Sequence, residues 1–203
     1  MNELHTLYDA AIASGADSAY RKRRWGRAAE FAGWLEQDAP ESLSADNALR
    51  LYRASGGREP IAFSVTAIDE LRDSLDFLLY DTIKLEGRFD ECASPEGGYM
   101  LPGAGKEFVS WLLCLRNPAL LGVWNSNAER MLKRIGAYPD TMNRGPIGIR
   151  YLDLMEALAW VRARLGIRNF IEVDVLAYLS TRPRGRSRSS AESLSSEMKD
   201  ALA

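Results

Sequence analysis

The sequence has very few of the side chains that most metal and nucleophilic sites use. Its 203 residues include one histidine, His5, and two cysteines, Cys92 and Cys114. One histidine cannot build a multi-histidine metal site and argues against Ser-His-Asp catalysis. Two distant cysteines without a CxxC spacing cannot hold zinc or an iron–sulfur cluster by four thiolates. We therefore expect reduced, buried thiols and no cofactor.

Long apolar runs and a dominant charge sign are missing as well. No run approaches the roughly 18–20 residues that a membrane span needs, so no membrane partner is expected. The first residues show neither the basic region nor the apolar core of a secretory signal, which favours a cytoplasmic protein. With 26 basic against 28 acidic side chains, the net charge of −2 is not that of a dedicated nucleic-acid-binding protein.

Apolar residues recur at helical spacing through most of the chain, and no convincing alternating segment is present. The best strand candidate, 61–67, lies between a proline and a predicted helix start. The pattern predicts an all-α, multi-helix globular domain over 1–182. Residues 183–203 form an Arg/Ser-rich tail that is expected to be disordered. The predicted helices are 18–37, 45–54, 66–80, 106–115, 126–135, 150–165 and 170–181.

A glycine-rich turn precedes the helix predicted at 106–115. It reads Leu101-Pro102-Gly103-Ala104-Gly105-Lys106. Two glycines allow a tight turn that exposes consecutive backbone N–H groups at a helix N-terminus, where phosphate binds without base readout. The residues from Leu101 to Lys106, with Pro102 excepted, are thus candidate DNA contacts. A purely structural turn between two packed helices would have the same pattern.

The residues after this turn carry a family resemblance. Asn125 follows Leu101 by 24 positions in GVWNSNAER, and the segments MLKRIG and FIEVDVLAYL come later. Together these segments resemble the endonuclease III-like, helix-hairpin-helix superfamily of DNA glycosylases, over roughly residues 95–182. The resemblance implies a fold like that of these enzymes. It also implies flipping of a modified or damaged base, its excision to leave an abasic site, and a monovalent cation at the hairpin.

Two positions depart from the family pattern. Asn125 stands where the family has its catalytic aspartate, and Glu107 stands where some members have a lyase lysine. Without that amine, strand cleavage through a Schiff base is not expected. An amide can orient water but cannot accept its proton at neutral pH. The catalytic candidates are therefore Asn125 itself, as a residue that orients water, and a carboxylate elsewhere in the chain that accepts the proton. Glu107, Asp90 and Glu91 are nearest in sequence to supply that carboxylate.

Other residues extend the predicted site. Trp124, Trp111 and Tyr99 flank the turn and Asn125 and could stack on a flipped base, although aromatic residues on helices are usually core. Arg58 follows a Gly-Gly pair before a predicted helix, a pattern typical of a phosphate loop or of a plain connection. Arg130 corresponds to a helix arginine of the family. Basic runs at 21–27 and 182–188 could neutralise phosphates or simply be solvated.

Three hypotheses follow from the sequence. The first is a monofunctional DNA glycosylase that acts on a modified base. If that base is one found in phage DNA, the enzyme would have a role in phage defence. The second is a non-catalytic helix-hairpin-helix DNA-binding module of a restriction or defence system. The third is a helical protein–protein adaptor without affinity for DNA. Because one fold hosts many functions, the step from resemblance to reaction is an analogy.

Overall fold

The computed structural model describes residues 5–6, 8–10, 13 and 18–181 of the chain. Over residues 18–181 it contains ten α-helices, two short 3-10 helices at Pro40–Ser42 and Asp140–Asn143, and no strand. The helices are α1 Ser18–Trp25, α2 Ala28–Gly33, α3 Ala45–Ala54, α4 Pro60–Ser64, α5 Ile68–Tyr80, α6 Leu85–Ala93, α7 Lys106–Arg116, α8 Ser126–Arg134, α9 Ile147–Leu165 and α10 Phe170–Ser180. The all-α prediction is confirmed for this part of the chain. The predicted disordered tail lies outside the described residues.

Helix α7 is the centre of the core. Every residue from Phe108 to Leu115 is buried, so the helix is enclosed on all sides. Helices α2, α6 and α10 pack against it, while α9 runs along α6 and α10 runs along α8. The glycine turn that begins α7 is therefore fixed to the most buried element of the fold. No helix among the described residues is long and apolar enough to cross a bilayer.

Ser44, Ser64 and Asn169 precede predicted helices and have side chains that favour the N-cap position. Ser44 and Asn169 are N-caps in the structure, whereas Ser64 belongs to α4 and Ala67 precedes α5. The Ser44 Oγ accepts a hydrogen bond from the Asn47 amide at 3.2 Å at the start of α3. The Asn169 Oδ1 accepts one from the Glu172 amide at 3.1 Å at the start of α10. In both cases a short polar side chain satisfies an amide that the first helical turn leaves without a partner.

The structure differs from the predicted helices in three places. The helix predicted at 18–37 is two helices, because the chain breaks at Gly26, a poor helix former. In the best strand candidate, 61–67, residues 61–64 instead belong to α4. Pro60 is the first residue of this helix, a position where proline is tolerated. Helix α6 was not predicted, since it has only three buried residues, Phe89, Cys92 and Ala93, to mark a face.

Candidate nucleic-acid interface

The glycine turn forms a tight, anchored entry into α7. The Ala104 amide donates to the Leu101 carbonyl oxygen at 2.9 Å, and both side chains are buried beneath the turn. Gly103 has a φ of +72°, a backbone conformation that side chains beyond glycine rarely adopt. Gly105 occupies the N-cap position, and no side chain caps the helix. The first amides of α7 thus have the positive end of the helix dipole and no side-chain acceptor.

The segment before this turn is longer than a simple hairpin. Helix α6 ends at Ala93 and α7 begins at Lys106, so residues 94–105 connect them. The helical architecture is therefore established, while the helix-hairpin-helix assignment of this unit still rests on the glycine turn itself.

A second predicted phosphate loop lies directly against the turn. The Tyr52 hydroxyl donates to the Gly103 carbonyl oxygen at 2.7 Å and accepts from the Glu59 amide at 3.1 Å. Residues 55–59 and residues 103 and 105–108 line the two sides of one cleft of about 250 Å³. The structure thus brings together the two segments that the sequence analysis singled out independently as phosphate loops.

Arg24 lies beneath the cleft. Gly56, which lines the cleft with a φ of +93°, has so little space below it that a Cβ would lie 3.1 Å from Arg24 Nη1. The same Cβ would lie 3.4 Å from Glu107 Oε1. Glycine at position 56 therefore lets the loop approach the Arg24 and Glu107 side chains closely.

The Arg24 guanidinium is a buried charge in contact with two carboxylates. Its Nη1 donates to the Ser55 carbonyl oxygen. Its Nη2 lies 3.1 Å from Glu107 Oε1 and its Nε lies 3.3 Å from Asp174 Oδ2. Nε and Nη2 are buried without a well-formed hydrogen bond. The two carboxylates offset the Arg24 charge, and these contacts tie α1 to α7 and α10.

Asp174 completes the buried network. Its Oδ2 accepts from the Tyr20 hydroxyl and from the Trp25 Nε1, both at 2.9 Å, and its Oδ1 accepts from the Asn125 Nδ2 at 2.8 Å. A carboxylate so buried needs such donors to offset its desolvation. The sequence analysis did not single out Arg24 or Asp174 as site residues. The sequence signal for Asp174 was that it is the one acidic residue in the otherwise apolar segment 173–179.

Asn125 is placed differently from the predicted water-orienting role. It is the N-cap of α8, is 3% exposed, and does not line the cleft. Its Oδ1 accepts from the amides of Asn127 and Ala128 at 3.0 and 2.9 Å, and its Nδ2 donates to Asp174. The buried amide makes three internal hydrogen bonds, which favour a structural role for Asn125.

Glu107, the other catalytic candidate, does lie in the cleft. Its side chain is 37% exposed and is held by the ion pair with Arg24. Burial raises the pKa of the Glu107 carboxyl above its ordinary value, against the opposing effect of the Arg24 charge. The nearby Asp174 carboxylate raises it further, and Arg58 lowers it. The cleft thus contains a carboxyl group that protonates more readily than an exposed glutamate.

The three predicted base-stacking residues are not presented to this cleft. Trp124 and Trp111 are 2% and 0% exposed and pack in the core. Tyr99 is 37% exposed, but its ring stacks on Phe77 with centroids 3.9 Å apart. The aromatic residues near the turn are therefore explained by packing within the protein and not by a base pocket at this cleft.

The predicted cationic contacts divide into engaged and open side chains. The Lys106 Nζ pairs with Glu129 Oε1 at 2.6 Å and lies 4.3 Å from the Trp124 ring centroid. Arg130 donates to its own helix at Ser126 and Asn127 and does not line the cleft. Arg58 is exposed at the cleft and has no ion pair among the described residues. Arg58 is thus the side chain most available to a phosphate.

The basic run at 21–27 is not a continuous phosphate-binding face. Arg21 pairs with Glu172, Arg27 pairs with Glu30, and Arg24 is buried. At the hairpin, the carbonyl oxygens of Leu101 and Gly103 accept internal hydrogen bonds, so the predicted monovalent cation would have to share them. Within the described residues no cluster of His, Cys, Asp and Glu is suited to a metal ion.

Comparisons of the chain with models of known protein families, with curated proteins and with solved structures find no match. The resemblance to helix-hairpin-helix glycosylases therefore rests on the residues quoted from the sequence.

Proposed function

We propose that this protein is a DNA-binding module that holds the phosphate backbone in the cleft between residues 55–59 and the start of α7. The observation that supports the proposal most strongly is the meeting of two glycine loops at one helix N-terminus, with Arg58 exposed at the cleft and without an ion pair among the described residues. Uncapped amides, a helix dipole and the Arg58 guanidinium favour a phosphate group.

The chemistry of this cleft suits binding without sequence preference. Backbone amides and arginines contact phosphates, which fix position on DNA and carry no base information. The net charge of −2 is compatible with this function, because the Arg58 guanidinium and the first amides of α7 lie at one cleft. Binding of this kind weakens as salt concentration rises, since bound phosphates release counterions.

The test is a fluorescence anisotropy titration of a labelled oligonucleotide with the full chain and with Arg58→Glu. We expect Arg58→Glu to weaken binding about tenfold or more at low salt and to reduce the salt slope by about one. Arg168→Glu is the matched control, because Arg168 is exposed on the connection before α10 and does not line the cleft. Equal binding by both variants would contradict the proposal.

Base excision is the second candidate, supported by Glu107. This carboxyl lies in the same cleft with a raised pKa, and could stabilise positive charge on a sugar or accept a proton from water. In this version Glu107 takes the role that the sequence analysis gave to Asn125. Modified bases, those of phage DNA included, are the substrates to test.

The excision candidate is tested by mass-spectrometric detection of free base from DNA containing a panel of modified bases. Release by the unaltered chain and loss in Glu107→Gln, with DNA binding retained, would support it. Absence of release across the panel, under conditions where the DNA is bound, would leave the non-catalytic binding module as the function.

A further inference from the structure

A groove lies between α9 and the connection that precedes this helix, and it shares no residue with the proposed phosphate cleft. It has a volume of about 450 Å³ and no basic side chain in its walls. One wall is a single face of α9, because residues 156, 157 and 160 follow residue 153 by three, four and seven positions. The other wall is formed by residues 137 and 139–141.

The groove contains three carboxylates without a basic partner. Asp153 accepts a hydrogen bond from the Thr141 hydroxyl, while Asp140 and Glu156 are exposed. None of the three forms an ion pair within the described part of the chain. Because like charges that line one groove repel one another, a cationic occupant would stabilise this part of the fold.

Trp160 adds an aromatic surface to the same groove. It is 49% exposed, although burial of an indole ring is strongly favourable. The Arg164 guanidinium carbon lies 5.9 Å from the ring centroid, so the ring is already in contact with a cation. Ala137, Pro139 and Ala157 extend the apolar surface. Such a groove suits arginine side chains, because a planar guanidinium stacks on rings and pairs with carboxylates.

The sequence continues from the end of α10 with a segment of matching charge. Residues 182–188 read RPRGRSR, with arginine at every second position. In an extended backbone, alternate side chains point to the same side. All four arginines of this segment can therefore face one surface at the same time.

The described chain ends near enough for this segment to reach the groove. The Ser180 carbonyl oxygen accepts a hydrogen bond from Arg134 Nη1 at 2.9 Å, and Arg134 is the last residue of α8. Ala137, in the wall of the groove, follows Arg134 by three positions, a distance of at most about 11 Å. A seven-residue segment spans up to about 23 Å when extended. Residues 182–188 are thus long enough to connect α10 with the groove.

We propose that this groove binds the arginine-rich segment 182–188 of the same chain. The arginines pair with Asp140, Asp153 and Glu156, and one guanidinium stacks on the Trp160 ring. Because the segment is joined to α10, its effective concentration at the groove is on the order of millimolar, and individually weak contacts are enough to hold it. In the bound state the four arginines are kept from phosphates, the other partner that their charge favours. The inference does not depend on the proposed DNA-binding function.

The test is paramagnetic relaxation in the full chain, with a nitroxide label attached through Ser189→Cys. Cys92 and Cys114 are buried free thiols, so the label reacts with the introduced cysteine. We expect the amide signals of Ala157 and Trp160 to lose about half of their intensity or more relative to the reduced label, since the tethered segment is mostly bound. The amides that line the phosphate cleft should keep their intensity.

Matched variants separate binding in the groove from the nearness that the tether alone gives. Asp153→Asn with Glu156→Gln should restore most of the lost signal on α9, because it removes two of the three carboxylates. Asp73→Asn with Asp76→Asn removes two exposed carboxylates at the same spacing on α5 and should leave the broadening unchanged.

Amides on α9 that are not broadened in the labelled chain would overturn the inference, and so would broadening that both double variants retain equally. Broadening centred on the phosphate cleft would also overturn it, since the segment would then lie elsewhere. A mixture of labelled chain with ¹⁵N-enriched chain that lacks the nitroxide tests for exchange between molecules. Broadening on α9 in that mixture would show that the groove takes the segment of a second copy, which overturns the same-chain assignment.

Discussion

The Tyr52 hydroxyl donates a hydrogen bond to the Gly103 carbonyl oxygen across 51 positions of sequence. The same hydroxyl accepts from the Glu59 amide, so one buried side chain joins the loop at 55–59 to the glycine turn. Tyr52 also stacks on Phe63, which fixes the ring. The geometry of the proposed phosphate cleft therefore depends on a core residue that does not itself need to contact DNA.

Tyr52→Phe should loosen the cleft. The substitution keeps the ring and leaves the Gly103 carbonyl and Glu59 amide without their partner. We expect a loss of about 1–2 kcal/mol in the free energy of unfolding and weaker DNA binding. Urea denaturation and anisotropy measure these effects. Tyr99→Phe is the control, because the described structure shows no hydrogen bond to the Tyr99 hydroxyl; equal effects of the two would contradict the role of Tyr52.

Gly103 and Gly105 of the glycine turn should respond differently to alanine. At Gly103 a Cβ would lie 3.1 Å from the Glu59 backbone oxygen in a left-handed backbone, whereas nothing lies within 4 Å of a Cβ at Gly105. Gly103→Ala should destabilise the fold by about 1–2 kcal/mol. Gly105→Ala should keep the thermal midpoint but weaken DNA binding, because its methyl group enters the cleft. A Gly105→Ala protein that binds DNA normally would contradict this placement of the ligand.

Asn125→Asp tests whether position 125 is structural. The new carboxylate would lie against Asp174, so repulsion within the core should cost about 2–4 kcal/mol at pH 7. The repulsion exists only while the introduced carboxylate is charged, so the loss should lessen as the pH falls and that carboxylate takes up a proton. Urea unfolding at several pH values gives both quantities. Asn143→Asp, on an exposed segment, should be nearly neutral; a stable Asn125→Asp protein with new base-releasing activity would contradict the capping role.

DNA binding should depend on the protonation of Glu107. Because burial raises the pKa of this carboxyl, lowering the pH removes negative charge from the cleft before exposed carboxylates titrate. Arginine side chains in general stay charged under these conditions. Affinity for a single-stranded oligonucleotide should therefore rise as the pH falls. In Glu107→Gln the affinity should already be high at pH 7 and vary less, and an identical pH profile would contradict this.

The fold was largely predictable because helix periodicity and capping are local. Ser44 and Asn169 act as caps where the sequence indicated, and α7 and α8 begin at the predicted residues. The glycine turn and the Arg58 loop were each recognised from their own residues. That they meet could not be predicted, because the contact depends on Tyr52 reaching Gly103 through the tertiary fold.

The sequence did not indicate the burial of several residues at or near the site, and one physical cause explains these cases. Arg24 lies in a run of four basic residues that resembles a solvated helix face, yet it is the one that turns into the core. Asn125 and Trp124 were singled out by their spacing from a family motif. Their burial depends on contacts with Asp174 and with the surrounding aromatic rings, which spacing does not reveal. Burial of single polar residues depends on distant partners, which local patterns do not contain.

The most direct test of the cleft is a ¹H–¹⁵N NMR titration of the full chain with a short oligonucleotide. We expect the largest amide shifts on Gly105, Lys106, Glu107 and Phe108, with a second group at Gly56–Arg58. Shifts confined to α1 and the basic run at 21–27, with the amides at the start of α7 unchanged, would contradict it.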